Sequence, residues 1–250
     1  MIFTIAGREL RSLLLSPLAW TLLAVVQGGL AWIFLILVDE FRNLQGRLGG
    51  LENPPGVTDL VAAPLFRVAA WGLLLLAPLL TMRLFSEERK TRTLDLLLSA
   101  PVGAAAIVLG KYLGVLTFLL GVTGLVSLMP LTLAVGTPLD FGKLFAGALG
   151  LALLAASFTA AGLYLSTLTA QPVIAAISTL GLLLFLCVVD AASSSRETAQ
   201  GLFGYLSLLR HYDALLLGLF DSADLIYYLL FSAACLGLAI QRLNDGRLRD

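Results

Sequence analysis

Two long uncharged stretches constrain this chain more than any other feature of its sequence. No residue in 13–38 carries a charge, and none does in 144–189. An α-helix rises about 1.5 Å per residue, so about 20 apolar residues cross a hydrocarbon core of roughly 30 Å. The first stretch is long enough for one crossing. The second is long enough for two crossings if the chain turns near Gln171 and Pro172, which predicts helices that span a membrane.

Charge-free intervals elsewhere bring the number of predicted spans to six. The predicted spans cover residues 17–38, 64–82, 112–135, 144–166, 172–189 and 225–241. Only 13% of the 250 residues are charged, against about 25% in soluble domains, so polar side chains are too few to cover a water-facing surface. We therefore expect an all-α membrane protein with a single transmembrane domain over residues 1–250.

Two segments outside the spans predict helices at the membrane surface. In residues 1–15, two arginines share one helical face and apolar side chains share another, which predicts an interfacial helix. Residues 190–222 contain apolar pieces, at 198–209 and 214–220, that are too short to cross and too apolar to lie in water. We expect this second segment to form outer re-entrant or interfacial helices before the last span.

The distribution of Lys and Arg predicts the orientation of the spans. Six spans place both termini on one side of the membrane, together with the loop 83–111, and most of the Lys and Arg residues lie in these parts. Loops rich in Lys and Arg are retained in the cytoplasm. We therefore expect both termini and this loop to be cytoplasmic, with residues 39–63 and 190–222 outside.

The densest cluster of charges lies at residues 83–95, after the second predicted span. Acidic residues such as Glu87 and Glu88 are mixed with basic ones, whereas a topology signal needs only Lys and Arg. Leucines follow at helical spacing until Pro101 ends the pattern, so residues 83–101 predict a charged amphipathic helix on the membrane surface. The acids favour a surface on which another protein docks, and an ordinary solvated loop is the alternative.

A run of residues in and around this loop forms a signature. The run comprises Pro78, Thr81, Met82, Arg83, Phe85, Glu87, Glu88, Arg89, Thr93, Leu94, Asp95, Leu96, Leu97, Leu98, Ala100, Pro101, Ile107, Val108, Leu109, Gly110 and Lys111. A second set, before the last span, comprises Tyr212, Gly218, Asp221, Asp224, Tyr227 and Tyr228. These residues resemble permease subunits of ABC transporters of the type-two exporter class. Within that class they are most similar to the gliding-motility (Gld-type) permeases and, more distantly, to the NosY-type permeases.

The resemblance implies a six-helix permease with an N-terminal interfacial helix, a cytoplasmic coupling helix in the loop 83–101 and re-entrant helices before the last span. It implies a cytoplasmic ABC ATPase as partner, in two copies, which holds ATP and magnesium, while this chain holds no cofactor. A second permease copy or a paralogue would complete a dimer, and an outer-domain accessory protein is a further expected partner. The expected location is the bacterial inner membrane. Arg92 departs from the pattern, which usually has Gly there, so the turn of the coupling loop need not follow the family's geometry.

A coupling helix must be gripped by the ATPase in a defined orientation, which paired charges of both signs allow. Glu87 and Glu88 are expected to serve this contact and to make no contact with the core, while the leucines hold the helix to the bundle. The predicted coupling residues are Arg83, Glu87, Glu88, Arg89, Thr93, Leu94, Asp95, Leu97 and Leu98.

Inside the spans the sequence predicts packing positions and no catalytic site. Gln27 is interpreted as an interhelical hydrogen-bonding residue, with the lining of a translocation path as the alternative. Gly110 and Gly114 form a GxxxG pair that indicates a dimer face. A phosphate loop would need Gly at position 105 and Ser or Thr at 112, so no nucleotide site is expected here. With His211 as the single histidine, a His-based metal centre is not expected either.

Two functions fit these features. The first is a permease subunit that a separate ATPase drives, and the second is a membrane scaffold or mechanotransmitter that an ABC ATPase drives without transport. An ion-coupled secondary transporter would need acidic residues within its spans, which the predicted spans lack. The net charge is zero, which provides no basic field for nucleic acid, so the expected partners are proteins and membrane lipid.

Overall fold

The computed structural model describes residues 1–48, 55–91, 103–193 and 206–247. Regular structure within these ranges is entirely helical. Six helical segments are long and apolar enough to cross a membrane: Pro17–Gly46, Thr58–Lys90, Ala104–Val135, Phe141–Leu168, Pro172–Val189 and Ser222–Asp245. The predicted all-α class with six spans is therefore confirmed.

We number the described helices in chain order. They are α1 (Ile2–Leu15), α2 (Pro17–Leu48), α3 (Ala63–Thr81), α4 (Arg83–Lys90), α5 (Ala104–Leu131), α6 (Phe141–Leu168), α7 (Pro172–Ser193), α8 (Leu208–Leu216) and α9 (Ser222–Arg247). A π-helical turn, Thr58–Ala62, precedes α3, and a 3₁₀ turn, Thr132–Val135, follows α5. Successive spans run in opposite directions, so the bundle has an α4 end and an α8 end.

A single residue, Ser16, connects α1 to α2. Its backbone is extended, with φ −80° and ψ 121°, because the ring of Pro17 disfavours helical geometry in the residue before it. The indole N–H of Trp20 donates to the carbonyl of Leu14 at 2.6 Å, across the break. The proline therefore sets the end of α1, and a side chain of α2 supports the junction.

The start of α6 is fixed at the α8 end by capping and by an ion pair. Asp140 Oδ1 accepts hydrogen bonds from the backbone N–H groups of Gly142 and Lys143 at 3.0 and 3.1 Å. The Lys143 ammonium lies 2.7 Å from a carboxylate oxygen of Asp59, in the π-helical turn. These contacts align the start of α6 with the start of span 2.

The hydrophobic core is built around α6, which packs against α3, α5, α7, α8 and α9. Small residues let its neighbours approach closely. A Cβ atom added at Gly147 would lie 2.6 Å from the ring of Phe66, and one at Gly150 would lie 2.8 Å from the ring of Tyr212. By contrast, most of the apolar surface of α2 is exposed within this single chain, including Trp32.

The second and third spans extend beyond the predicted boundaries. Span 2 reaches from Thr58 to Lys90, whereas the sequence predicts residues 64–82. The helix of span 3 begins at Ala104, whereas the prediction takes Lys111 as its boundary and starts at residue 112. Lys111 therefore lies inside a helix and not in a loop.

The structure also corrects the segment before the last span. The sequence divides it into apolar pieces at 198–209 and 214–220, but α8 covers Leu208–Leu216 without interruption. Ser207 caps its first turn, and Gly218 ends it with a φ of +79°. The N–H of Leu219 bonds to the carbonyl of Ala214 at 3.1 Å, which completes a Schellman motif. Residues 198–205 lie outside the described ranges.

Candidate functional site around Lys111

The predicted coupling residues that the structure describes lie on α4. Arg83 and Glu87 are exposed, whereas Glu88 and Arg89 are partly exposed. The other predicted coupling residues lie outside the described ranges, as does Arg92; they are Thr93, Leu94, Asp95, Leu97 and Leu98. Their roles stay predictions.

α4 follows α3 with almost no interruption. Met82, between the two helices, has helical φ and ψ angles of −55° and −31°. Its N–H bonds to the carbonyl of Pro78 at 2.9 Å, as in a continuous helix. The first part of the predicted coupling segment is therefore an extension of span 2, so a displacement of α4 acts directly on that span.

Ser166, near the end of α6, caps the first turn of α4 from another helix. Its Oγ accepts hydrogen bonds from the backbone N–H groups of Phe85 at 3.0 Å and Ser86 at 3.1 Å. The Ser86 hydroxyl donates to the carbonyl of Ser166 at 3.1 Å. N–H groups in the first turn of a helix lack partners within that helix. A side chain of span 4 here supplies what an N-cap residue normally supplies.

The ammonium group of Lys111 joins three helices at the α4 end. Its Nζ lies 2.7 Å from Glu88 Oε1 on α4 and 3.2 Å from Glu9 Oε1 on α1. It also donates to the backbone carbonyl of Leu84, on α4, at 2.8 Å. These three contacts match the three N–H donors of an ammonium group. We call Glu9, Glu88, Lys111 and the Leu84 carbonyl the Lys111 node.

Lys111 is almost completely enclosed. Its side chain is 3% exposed, and its ammonium lies 5.1 Å from the centre of the Phe85 ring, within the range of a cation–π contact. A buried charge is tolerated only when opposite charges and hydrogen bonds replace its water shell. Removing one partner of such a contact costs about 3–5 kcal/mol, because the remaining charge stays buried. The node therefore fixes the positions of the helices that contribute to it.

The Lys111 node corrects one expectation about the acidic residues of α4. Glu88 contacts the core, because its carboxylate pairs with the buried Lys111. Glu87 points elsewhere on the same helix and is exposed. Adjacent residues on a helix differ by about 100° in direction, so Glu88 reaches the buried Lys111 while Glu87 stays exposed. Glu87 is therefore the better candidate for a contact with another protein.

The GxxxG pair of α5 receives α1 of the same chain. A Cβ atom at Gly110 would lie 2.7 Å from the Cβ of Ile5, and one at Gly114 would lie 2.7 Å from the Cβ of Glu9 and 3.0 Å from the carbonyl of Ala6. The two glycines thus let the helices approach closely, as GxxxG pairs do. Within the chain α1 covers the surface of these two glycines, and a dimer face at this position stays a prediction.

Gln27 of α2 bonds to α5. Its Nε2 donates to the carbonyl of Val122 at 3.0 Å, between spans 1 and 3. This contact is the interhelical hydrogen bond that the sequence suggests for an amide within a span. The alternative, that Gln27 lines a translocation path, stays a prediction.

A second buried polar cluster lies at the α8 end. His211 Nδ1 is 2.6 Å from Asp224 Oδ1, and both side chains are about nine-tenths buried. The imidazole ring stacks on the ring of Tyr227, with centroids 4.3 Å apart. The hydroxyl of Tyr228 donates to the carbonyl of Leu208 at 2.6 Å. This cluster ties α8 to the start of α9.

Tyr212 ties α8 to span 2. Its side chain is fully buried, and its hydroxyl donates to the carbonyl of Phe66 at 3.0 Å. Burial raises the pKa of Tyr212 well above its ordinary value, with the nearby Asp213 carboxylate adding to the rise. The phenol therefore keeps its proton and donates this hydrogen bond throughout the physiological pH range.

Neither cluster has the composition of a metal centre. In the parts of the chain that the structure describes, no group of three or more His, Cys, Asp or Glu side chains is arranged to hold a metal ion. The Lys111 node binds protein groups on all three donors of its ammonium. Its arrangement can transmit force and orientation between helices.

Sequence reasoning missed Glu9, Lys111 and Ser166 as site residues. The prediction takes Lys111 as the boundary of the third span and Ser166 as the last residue of the fourth. A signal was present for Lys111: it lies between Gly110 and Gly114, in an apolar stretch that starts at residue 104 without a loop residue between. A lone cation flanked by small residues indicates a close helix contact that carries an acid.

Comparison with known proteins gives one match that covers nearly the whole chain. The family model described as ABC-2 family transporter protein matches residues 4–240. No curated protein matches the chain. The matched region includes all or most of each described helix and all members of the Lys111 node.

Proposed function

The chain belongs to the ABC-2 family of transporter proteins and is a transporter permease subunit, and from this premise we propose that a separate cytoplasmic ATPase drives it through α4. ATP and magnesium are then held by the partner. The permease contributes the membrane path and the segment that the ATPase moves.

The observation that carries this proposal is the attachment of α4 on two sides. Ser166 holds its first turn to span 4, and Lys111 holds its later turns to span 3. A motor can move membrane helices only through an element that does not slip relative to them. α4 is such an element, and it also continues span 2.

The exposed charges of α4 are suited to a charged partner. Arg83, Glu87 and Lys90 are exposed and carry charges of both signs. Mixed charges favour one orientation of a docked protein over others, because a rotated partner would bring like charges together. Nucleotide binding in the ATPase would then favour one position of α4, and with it one arrangement of spans 2, 3 and 4.

The finer features of the proposal rest on the sequence. We place the chain in a bacterial inner membrane with both termini cytoplasmic, as an exporter in which two permease chains meet two ATPase copies. The signature around residues 78–111 supports a position near the Gld-type and NosY-type permeases. An outer-domain accessory protein is a further proposed partner.

Reversal of one exposed charge tests the contact with the ATPase. We expect Glu87→Lys to reduce copurification of the ATPase and the ATP turnover of the complex in nanodiscs. A lost exposed or rim charge contact is worth up to about 1 kcal/mol, or a several-fold loss of affinity. Glu40→Lys is the matched control, since Glu40 is also an exposed glutamate on a helix but lies toward the α8 end.

The outcomes separate the hypotheses. Equal ATPase recovery and turnover for Glu87→Lys, Glu40→Lys and the unmodified chain would argue against α4 as the docking element. A complex that hydrolyses ATP in liposomes with neither flux nor stimulation by any candidate substrate would favour the alternative, a scaffold or mechanotransmitter that does not transport.

A further inference from the structure

α1 and α4 face each other across a cleft of about 350 Å³ at the α4 end. Glu9 and Ser12 of α1 line one side, Arg83 and Glu87 of α4 line the other, and Lys111 of α5 lies between them. The Lys111 ammonium reaches a carboxylate on each side, at 3.2 Å for Glu9 and 2.7 Å for Glu88. One side chain therefore connects two helices that are separated by open space.

α1 is also connected directly to span 1. Ser16 is the single residue between the end of α1 at Leu15 and the start of α2 at Pro17. One extended residue supplies at most about 3.6 Å of chain, so α1 and the start of α2 cannot move far apart. A displacement of α1 along the membrane surface therefore pulls or pushes the start of span 1.

We propose that Lys111 is a positioning residue that transmits movement of α4 to α1, and through Ser16 to span 1. This inference rests on the proposed function, since it takes the ATPase to move α4. The proposed link through Lys111 adds span 1 to the helices that receive the movement. The helix of span 1, α2, packs loosely on the rest of the bundle. Glu9 is the acceptor on α1 through which the movement passes.

The physical reason lies in the burial of the charges. If α4 moved while α1 stayed, the contact between Lys111 and one of its carboxylates would have to open within a protein interior. Such an opening leaves the Lys111 ammonium, whose side chain is 3% exposed, without one of its carboxylates, so helices that share the contact move together. Gly110 and Gly114 strengthen this coupling, because they keep α1 in close contact with α5, the helix that carries Lys111.

Hydrogen exchange of the complex with its copurifying ATPase in nanodiscs tests the inference. Exchange is measured in the nucleotide-free state and after trapping with ATP and orthovanadate. In the unmodified complex we expect the trapped state to change exchange in both α4 and α1. The difference between states is the relevant quantity, because a role in stability alone would alter exchange equally in both states.

Glu9→Gln removes the negative charge that faces Lys111 from α1 and leaves the contact between Lys111 and Glu88. We expect it to keep the nucleotide-dependent change in α4 and to reduce the change in α1 about fivefold or more, at the low end of coupling between sites. Arg11→Gln is the matched control on the same helix, since Arg11 is exposed, and it should behave like the unmodified chain. Lys111→Met provides a second test of the same link should Glu9→Gln not insert.

The results distinguish failure of this inference from failure of the proposed function. If α4 responds to nucleotide but α1 does not, or if α1 responds equally in the unmodified chain and Glu9→Gln, Lys111 does not transmit movement to α1. If nucleotide changes nothing in α4, the proposed driving of α4 by the ATPase is itself wrong. Loss of the α1 response in Glu9→Gln, with the α4 response retained, supports the inference.

Discussion

Ser86 and Ser166 form a reciprocal pair between α4 and α6: the backbone N–H of Ser86 donates to Ser166 Oγ at 3.1 Å, and the Ser86 hydroxyl donates to the Ser166 carbonyl, also at 3.1 Å. Both residues are fully buried. The pair sits where the second and fourth spans meet, at the base of the charged segment. The direction of α4 therefore depends on a hydroxyl group that lies about 80 residues away in sequence.

Replacement of this hydroxyl should loosen α4. In Ser166→Ala, the N–H groups of Phe85 and Ser86 lose their acceptor in a buried environment, which costs about 1–3 kcal/mol. We expect faster hydrogen exchange in α4 and a lower melting temperature in detergent. Ser127→Ala is a suitable control, because the Ser127 hydroxyl bonds only to a carbonyl of its own helix among the described contacts. Exchange in α4 that matches the control would contradict the capping role.

Two glycines on α5 should respond in opposite ways to the same substitution. Gly114→Ala places a Cβ 2.7 Å from the Cβ of Glu9 and 3.0 Å from a backbone carbonyl of α1, which should displace α1 and destabilise the chain by about 1–3 kcal/mol. Gly121→Ala meets nothing within 4 Å and should stabilise by up to about 1 kcal/mol, through helix propensity alone. Melting curves and proteolysis of α1 measure both effects. Equal stability of the two variants would contradict the close contact between Gly114 and α1.

A buried and an exposed polar pair at α8 should differ in their contribution to stability. His211 and Asp224 have side chains that are 8% and 11% exposed, whereas Arg67 and Asp213 are 58% and 44% exposed. We expect His211→Leu to lower the free energy of unfolding by about 1–3 kcal/mol, because a buried carboxylate loses a hydrogen bond. Arg67→Met should change it by less than about 1 kcal/mol. The ranking is checked by denaturation in the same detergent, and a larger effect for Arg67→Met would contradict it.

The orientation of the spans can be tested with single introduced cysteines. Thr91→Cys lies at the α4 end and Gly136→Cys at the α8 end, and both positions are exposed. The native Cys187 and Cys235 are buried. An impermeant maleimide added to intact spheroplasts should label position 136 and should reach position 91 only after lysis. The reverse pattern would show that the termini lie outside.

The helical class and the number of spans were predictable because charge-free length is a local property of the sequence. The uncharged stretch 144–189 is long enough for two crossings with a turn between them, and α6 and α7 form these two crossings. The start of α5 was not predictable in the same way. Counting from charges treats Lys111 as a boundary, whereas its burial depends on Glu9 and Glu88, which are 102 and 23 residues away in sequence.

The roles of single residues were likewise predictable only where they depend on local sequence and not on which helices are adjacent. A GxxxG pair indicates a close helix contact, but the sequence does not say whether the partner is a second chain or α1. Glu87 and Glu88 carry the same charge and differ only in the direction they face, which depends on how α4 is packed. Ser166 has the composition of a turn residue, and its function as a cap for α4 exists only once α4 and α6 are adjacent.

The separation of Glu9 from Lys111 also sets an order of events during synthesis. Glu9 leaves the ribosome 102 residues before Lys111, which at about 5–20 residues per second is an interval of about 5–20 s. During this interval α5 is not yet available to α1, and we expect α1 to lie on the lipid surface with its two arginines toward the headgroups. A stalled nascent chain that ends before residue 104 should crosslink to lipid through Ile5 of α1, whereas in the finished protein Ile5 packs against Gly110. Docking of α1 onto Gly110 and Gly114 of α5 would then mark the step at which part of its apolar surface leaves the lipid.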